Sequence, residues 1–251
     1  MKKTFSKQAL LFFLCAFFAG KLFAQKAQSD SANLQSIKDL TVANFYLAIG
    51  QQSRLFNGME YFPYDRHIKG TALFPLDAET WATGEVTYDG LVYKGVPMMY
   101  DIYKDKLIAL LYNHFTAYTL LDDRVHDFSF SGHRFVRVKT DSLVNDKSGI
   151  STGFYDQLYG GSKVEVLAKR VKTIQNSTNI SITLETYFLE NHSYYVRKGN
   201  TYYKVSGQGS FLDVLKDKKA AVQKYVKDNN LKYRSDPEGV MAAVASYYDK
   251  L

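Results

Sequence analysis

Between residues 54 and 205, short apolar runs alternate with polar residues and are separated by Gly, Asn and Asp. A period of two is typical of strands that bury one face, and closely spaced turn residues join such strands into antiparallel hairpins. Beyond residue 205 the period lengthens to that of amphipathic helices. The pattern predicts an α+β fold, in which an antiparallel β-meander or partly closed sheet (54–205) carries C-terminal helices (206–251) packed on it.

Two turn signals, Asp89-Gly90 and Gly199-Asn200, each fix the register of a hairpin. Counting outward from either turn places apolar side chains of both strands on one face, which is the condition for a well-defined register. The predicted pairs are Tyr88–Leu91, Thr87–Val92 and Val86–Tyr93 in the first hairpin, and Lys198–Thr201, Arg197–Tyr202, Val196–Tyr203 and Tyr195–Lys204 in the second.

Two further hairpins are predicted at Lys104-Asp105 and Gly132-His133. The first pairs the apolar residues Ile102, Tyr100 and Met98 with Leu107, Ala109 and Leu111. In the second, Phe128 would face Arg137, which is an unfavourable apolar–charged pair. Longer strands are predicted over Lys163–Ile174 and Ile180–Leu189, and the apolar segment Leu40–Ile49 fits either a helix or a strand.

Three helices are predicted after residue 205. Ser210 is a suitable cap for the first, whose apolar stripe consists of Phe211, Val214 and Leu215. The second runs from Lys218 to Asn229 and turns inward Val222, Tyr225 and Val226. Asp236 followed by Pro237 is a typical helix start, and it places on one side Val240, Val244, Tyr247, Tyr248 and Leu251.

The first 24 residues have the layout of a secretory signal peptide. The positive residues, the apolar run and the small residue for cleavage are Lys2, Lys3 and Lys7, Ala9–Ala19, and Ala24. An apolar run of this length is shorter than the roughly 20 residues that cross a bilayer as a helix. We therefore predict a signal peptide over 1–24 and a single α+β domain over 25–251, with no transmembrane span after cleavage. The alternatives are a retained membrane anchor and a lipidated Cys15.

The predicted leader accounts for most of the net positive charge. The chain has 32 Lys and Arg against 25 Asp and Glu, but residues 1–24 hold four of the basic residues and none of the acidic ones, so residues 25–251 carry +3. Nucleic-acid binding needs basic residues concentrated on one face, and a charge of +3 argues against it. Cys15, the only cysteine, also lies in the leader, so a cleaved chain is held together by its core without disulfides.

The sequence contains no phosphate-binding loop, HExxH or dinucleotide-binding motif. His114, His126 and His133 lie in one region with several aspartates, but their spacing matches no template for a metal site. Asp101 lies inside an apolar strand and is a candidate for a carboxylate with perturbed ionisation. Such a residue more often faces solvent or caps a neighbouring loop. We expect neither a metal nor a cofactor.

Aromatic residues are the candidate binding residues. Tyr195, Arg197 and Tyr202 share one face of the second predicted hairpin with Lys204, and Trp81 is the only tryptophan. We expect this stripe to be exposed, and its flat rings with polar edges suit sugar rings and partner proteins. The competing interpretation is that these tyrosines merely cover a half-solvated sheet or pack beneath the helices.

Short motifs along the chain carry a resemblance to a known group of proteins. They are Leu55-Phe56-Asn57-Gly58, Gly84 with Tyr88–Tyr93, Val96–Asp101, Gly153-Phe154-Tyr155 and Leu158–Gly161. With these motifs the chain resembles secreted proteins of Bacteroidetes-type bacteria. The resemblance implies a location in the cell envelope and assigns no catalytic residues.

Together these patterns favour an exported cell-envelope protein that acts as a non-enzymatic binding or structural module, with a glycan or an envelope protein as its partner. The alternative is a hydrolase or lyase acting on envelope or extracellular polymers, in which Asp101 or the central histidines would line a cleft. An outer-membrane barrel is a third hypothesis. It is disfavoured because Arg197 and Lys204 lie opposite the apolar side of their hairpin and the chain ends in helices.

Overall fold

The computed structural model describes residues 53–75, 80–140, 148–178 and 184–251, together with part of the segment between 34 and 49. The chain forms two compact units, Met1–Ser53 and Arg54–Leu251. In the first unit, the described residues between 34 and 49 are helical. The apolar segment Leu40–Ile49, which fitted either a helix or a strand, is therefore helical where it is described. The predicted signal peptide lies outside the described residues.

The second unit is built on an antiparallel sheet, as the alternating pattern predicted. Its described strands are β1 (Gly58–Glu60), β2 (Leu73–Phe74), β3 (Ala82–Tyr88), β4 (Leu91–Asp101), β5 (Lys106–Leu110), β6 (Ala117–Leu120), β7 (Val125–Phe130), β8 (His133–Val138), β9 (Gly153–Gly160), β10 (Val164–Thr178), β11 (Leu184–Lys198) and β12 (Thr201–Val205). The strand order is β1-β6-β5-β4-β3-β7-β8-β9-β10-β11-β12, and β2 pairs with β4. The path ends at β1 and β12, so these strands form an open sheet rather than a partly closed one.

The two hairpins with strong turn signals have the predicted registers. Tyr88 pairs with Leu91, and Arg197 pairs with Tyr202. The first turn places both Asp89 and Gly90 at positive φ, 55° and 79°, which is the backbone geometry that tight hairpin turns require. The predicted strand Lys163–Ile174 corresponds to β10, which begins one residue later and is longer. Of the predicted strand Ile180–Leu189, residues 184–189 belong to β11 and residues 180–183 lie outside the described part of the chain.

The other two predicted registers were wrong, and turn chemistry explains both. Asp101 pairs with Lys106, so the loop has four residues and the register moves by two, because the Asp101 carboxylate accepts hydrogen bonds from the backbone amides of Tyr103 and Lys104. The second turn lies one residue earlier than predicted. Its central residues Ser131 and Gly132 adopt positive φ, and Phe128 therefore faces Phe135 instead of Arg137.

Residues 68–74 form a crossing segment that passes over one face of the β10–β11 hairpin. Lys69 exchanges backbone hydrogen bonds with the outer edge of β11, at 2.8 and 3.0 Å, and Leu73 then pairs with Asp101 of β4 on the opposite side. Between these points, the buried Lys172 ammonium donates to the carbonyl oxygens of Thr71 (2.8 Å) and Leu73 (2.6 Å). These two hydrogen bonds from Lys172 hold the crossing segment against the β10–β11 hairpin.

An aromatic core lies between the first strands and the middle of the sheet. Tyr100 packs at 4.8 Å against Phe135, which stacks on Phe128 at 5.0 Å, and all three side chains are fully buried. The Tyr100 hydroxyl donates to Asp105 in the loop after β4. Rings contribute large buried areas, and this cluster therefore supplies much of the apolar stabilisation of the central strands.

The three predicted helices are present as α1 (Gln208–Val214), α2 (Lys219–Asp228) and α3 (Pro237–Asp249). Asp236 caps α3 as predicted, because its carboxylate accepts from the Gly239 amide at 2.9 Å. The cap of α1 is Gly207 rather than Ser210, which lies in the first turn and accepts from the Gly207 amide. The helices cover the apolar part of β10 and β11 with a cluster that includes Val166, Val196, Phe211, Val222, Val240 and Val244.

A close backbone approach explains the glycine at position 84 in β3. A Cβ atom there would lie 2.3 Å from the Ser129 carbonyl oxygen and 2.8 Å from Met98 Sδ. We expect Gly84→Ala to lower the free energy of unfolding by about 1–3 kcal/mol, since β3 and β7 would have to separate. Gly209→Ala is the matched control, because nothing lies within 4 Å of the added methyl group. Urea denaturation measures both, and equal effects of the two substitutions would contradict this reading.

Three carboxylates attach the C-terminal helices to the sheet. Asp217 accepts from the Lys198 ammonium (2.6 Å) and the Tyr248 hydroxyl (2.7 Å), and Asp249 accepts from the backbone amides of Ser162 (2.9 Å) and Lys163 (2.7 Å). Glu238, the third, pairs with a buried arginine on β10. The Lys198 hydrogen bond lowers the pKa of Asp217 to about 2. Burial opposes ionisation of Asp249 and Glu238, but their hydrogen bonds prevail and lower the pKa of each.

We therefore expect acid to weaken the fold between about pH 4 and pH 2. A carboxyl group with a lowered pKa in the folded state stabilises the protein above its unfolded pKa, and this contribution is lost as the pH falls through the folded pKa. Thermal unfolding at pH 5, 3.5 and 2.5 measures the effect. At pH 5 the Asp217→Asn variant should have a lower Tm than the wild type, and its Tm should fall less on acidification. An equally steep fall in the variant would show that Asp217 does not contribute.

Candidate functional site

The predicted stripe of Tyr195, Arg197 and Tyr202 is only partly exposed. Tyr195 is only 5% exposed and packs against Tyr155, with ring centroids 5.8 Å apart. Tyr202 is partly buried against the same cluster, and the Arg197 guanidinium donates to Glu165 at 2.6 Å. The expected exposure of Tyr195 was wrong because residues of β8, β9 and the segment before β9 cover this face.

The structure does not bring Trp81 to the same place as the predicted stripe. Trp81 is half-buried directly before β3, and the sheet order places β7, β8, β9 and β10 between β3 and β11. The four predicted binding residues therefore do not form one site.

The opposite face of the β10–β11 hairpin carries the chemistry instead. Going away from the helices, its cross-strand pairs are Val166–Val196, Ala168–Tyr194, Arg170–His192, Lys172–Glu190 and Ile174–Phe188. We call this the helix-side face. It changes from apolar beneath the helices to ionic in the middle and aromatic at its far end.

Arg170 is the centre of the ionic part, and only 6% of it is exposed. Its Nε donates to the buried Asp156 at 3.0 Å, and its two terminal nitrogens donate to the two carboxylate oxygens of Glu238, both at 2.9 Å. A further contact of 3.3 Å joins Arg170 to His192 Nδ1. Burial works against the charge, but these carboxylates raise the pKa of Arg170. Because its guanidinium donates both to Asp156 on β9 and to Glu238 on α3, Arg170 anchors α3 to the sheet.

Asp156 also orients His133. The carboxylate lies 2.8 Å from His133 Nδ1, and the imidazole packs edge-on against Phe74 at a centroid distance of 4.9 Å. The other central histidines lie elsewhere: His126 pairs with its neighbour Asp127, and His114 lies in an exposed turn. Across the described ranges, no group of three or more His, Cys, Asp or Glu is placed to hold a metal ion.

Asp101 is completely buried and caps a loop. Its Oδ1 accepts from the amides of Tyr103 (2.9 Å) and Lys104 (2.8 Å), and its Oδ2 accepts from the hydroxyls of Tyr61 (3.1 Å) and Tyr64 (2.7 Å). Of the alternatives for Asp101, the structure shows a buried carboxylate that caps a loop and does not face solvent. With four donors on its two oxygens, this carboxylate fixes the position of two tyrosine rings.

Around Asp101 lies an aromatic cluster, which we call the tyrosine patch: Tyr61, Tyr64, Tyr103 and Phe188. The last three rings contact one another edge-to-face, with centroids 5.3 to 5.8 Å apart. Burial and the adjacent Asp101 raise the pKa of Tyr61 and of Tyr64, so both hydroxyls remain donors. Tyr103 is 40% exposed, and Phe62 beside Tyr61 is 66% exposed. The patch thus combines rings held by hydrogen bonds with ring surface open to solvent.

Sequence reasoning missed this patch because its members come from three distant segments. Residues 61 and 64 precede β2, Tyr103 follows β4, and Phe188 lies on β11. One signal was present: an aspartate followed by a polar loop suggests a side chain that folds back on nearby amides. Nothing in the sequence indicated that two tyrosines almost 40 residues earlier would complete its hydrogen bonds.

The helix-side face and the tyrosine patch are the two concentrations of functional side chains in the part of the chain that the structure describes. In the first, Arg170 and Lys172 are held by internal partners, and the second has open ring surface. None of the described helices has the length and apolar character needed to cross a membrane. No family model, curated protein or solved structure matches this chain.

Proposed function

We propose that this protein is an exported, non-enzymatic binding module of the cell envelope and that its tyrosine patch binds a polysaccharide. The observation that carries the proposal is the double hydrogen bond from Tyr61 and Tyr64 to the buried Asp101, beside the exposed ring of Tyr103. Export is supported by the leader, whose positive residues, short apolar run and small residues have the layout of a signal peptide.

Pre-organisation is the physical reason why such a patch suits a ligand. A surface whose side chains are already fixed loses little conformational entropy on binding, so more of the contact energy appears as affinity. Tyr64 is held at its hydroxyl by Asp101 and at its ring by Tyr103 and Phe188. Its aromatic neighbours present flat apolar faces with polar edges, which match the C–H faces and hydroxyl rims of sugar rings.

The test compares the mature chain with single-residue variants by affinity electrophoresis in gels that contain different polysaccharides. We expect Tyr103→Ala to weaken the affinity for the polysaccharide about tenfold, because exposed aromatic anchors contribute more than 1 kcal/mol at binding surfaces. Tyr203→Ala is the matched control, since Tyr203 is as exposed as Tyr103 but lies on β12, outside the tyrosine patch. Retardation by no polysaccharide, or an equal loss in the control, would refute the proposal.

The alternative function is a hydrolase or lyase, and one contact favours it. Asp156 holds His133 by a 2.8 Å contact to Nδ1, in the manner of a carboxylate that orients a general base. Against it, Asp156 is shared with Arg170, and Asp101 is saturated by four donors. Polymer cleavage by the purified protein that His133→Ala abolishes would establish this alternative.

A further inference from the structure

We propose that the rings of Tyr61 and Tyr64 form a recognition site for an organic ammonium group, and that Lys104 is its resident occupant. A protonated amino group of the bound polysaccharide would replace the Lys104 ammonium on these rings. This inference rests on the proposed function and narrows the ligand to a polysaccharide with free amino groups.

The position of Lys104 shows what these rings attract. Its Nζ lies 4.4 Å from the ring centroid of Tyr64 and 5.4 Å from that of Tyr61. Both distances fall within the range of about 6 Å over which a cation is drawn to the negative face of an aromatic ring. Two rings that share one cation form the simplest version of an aromatic cage.

Asp101 strengthens this attraction from the hydroxyl edge of the two rings. Each of its four hydrogen bonds comes from a neutral group, two amides and two hydroxyls, so these donors do not neutralise its negative charge. A phenol that donates to a carboxylate also gains electron density, which makes its face more attractive to a cation. Lys172 is a further cation whose charge interacts with Asp101, but its ammonium is buried and donates to the crossing segment.

Lys104 is well placed to leave. Its side chain is exposed at the tip of the β4–β5 loop, and its backbone amide is fixed by Asp101. Within the described residues, the interactions of its ammonium are the two ring contacts. A long lysine side chain held in one position loses rotamer entropy, so releasing it to solvent costs little. The backbone loop, and with it the site, is unchanged when the side chain swings away.

An amino sugar satisfies both parts of the patch. Its ring can stack on the exposed aromatic surface of Tyr103, which contacts Tyr64, while its ammonium lies over Tyr64. The same ammonium chemistry also occurs in choline head groups, which carry no sugar ring. Only the amino sugar uses the neutral stacking surface as well, and it is therefore the ligand source that we propose.

The experiment measures binding of the mature chain to two matched oligosaccharides by isothermal titration calorimetry, below neutral pH where the amines are protonated. One is an oligomer of glucosamine, the other the same oligomer of N-acetylglucosamine, and phosphocholine is the third probe. We expect the amine form to bind about tenfold more tightly than the acetylated form, and phosphocholine to bind more weakly than either oligosaccharide.

Lysine variants test whether Lys104 occupies the site. Lys104→Ala should bind the amine form about five- to tenfold more tightly and the acetylated form unchanged. Lys69→Ala is the matched control, because Lys69 is an exposed lysine paired with Glu185 and makes no ring contact of this kind. Lys69→Ala removes the same charge from the surface and should leave the preference for the amine form over the acetylated form unchanged. Tyr64→Ala should abolish the preference, and its circular dichroism spectrum reports whether it folds.

The outcomes separate this inference from the proposed function. Equal binding of the two oligosaccharides, or weaker binding of the amine form by Lys104→Ala, would overturn the inference and leave polysaccharide binding in place. The same holds if phosphocholine binds more tightly than glucosamine oligomers. Failure of every polysaccharide to bind would remove the proposed function itself.

Discussion

Replacing Arg170 with leucine is expected to lower the free energy of unfolding by about 3–5 kcal/mol. The arginine lies between two carboxylates, Asp156 and Glu238, and is buried with the first of them. Removing it leaves two negative charges near each other without a counter-ion, and both would have to be protonated or hydrated. Burying a charge without its partner is among the most destabilising single changes a protein can undergo.

Equilibrium urea unfolding measures this loss. Arg134→Leu is the matched control, because Arg134 also pairs with an aspartate but is more than half exposed. Exposed ion pairs contribute about 0–1 kcal/mol. A triple variant that also replaces Asp156 and Glu238 with leucine should recover much of the stability, since it removes the unpaired charges. If Arg170→Leu costs no more than Arg134→Leu, the network does not anchor α3.

Local chemistry explains which parts of the fold the sequence could predict. The registers at Asp89-Gly90 and Gly199-Asn200 follow from turn residues and from alternation within a few positions, and both were confirmed. The start of α3 likewise depends on neighbouring residues, Asp236 and Pro237. In such segments the local preference and the final structure agree, so reading outward from the turn or cap is sufficient.

Burial of a strand face is different, because it depends on distant segments. On β10, one face carries Arg170 and Lys172 and the other carries Lys169, so alternation does not show which lysine or arginine is buried. The crossing segment buries Lys172, and the first turn of α3 covers Arg170. The expectation for Tyr195 failed for the same reason, as distant residues cover its face.

The tyrosine patch shows the same limit at the candidate site. The alternation around Asp101 identified it as an unusual carboxylate within an apolar strand, and this residue lies at the centre of the tyrosine patch. Its four donors could not be predicted, because two of them, the hydroxyls of Tyr61 and Tyr64, lie in the segment between β1 and β2. The position of that segment depends on the pairing of β1 with β6 and of β2 with β4. A binding site assembled from three segments becomes visible only when the strand order is known.

Asp101→Ala is expected to lower the free energy of unfolding by about 3–4 kcal/mol, because each hydrogen bond to a buried charged group contributes about 1.5–3 kcal/mol and part of the loss is recovered by solvation. The variant leaves the hydroxyls of Tyr61 and Tyr64 and two backbone amides without their acceptor. The loop after β4 and the position of both rings should become variable. Urea unfolding measures the stability, and hydrogen exchange at the amides of Tyr103 and Lys104 locates the change.

Asp101→Asn separates the charge of this residue from its shape. The asparagine oxygen can still accept from the amides of Tyr103 and Lys104, and its NH₂ group can donate to the two tyrosine hydroxyls, so the loss of stability should be only about 1 kcal/mol. The negative charge at the hydroxyl edge of the rings is lost, however, and the preference for protonated over acetylated amino sugars should fall severalfold. Tyr64→Phe is the companion variant, which keeps the charge and frees one ring from its hydrogen bond. If Asp101→Asn shows the wild-type ratio of affinities for the amine and acetylated forms, the charge of Asp101 has no part in recognition. The two rings alone must then account for the preference for the amine form.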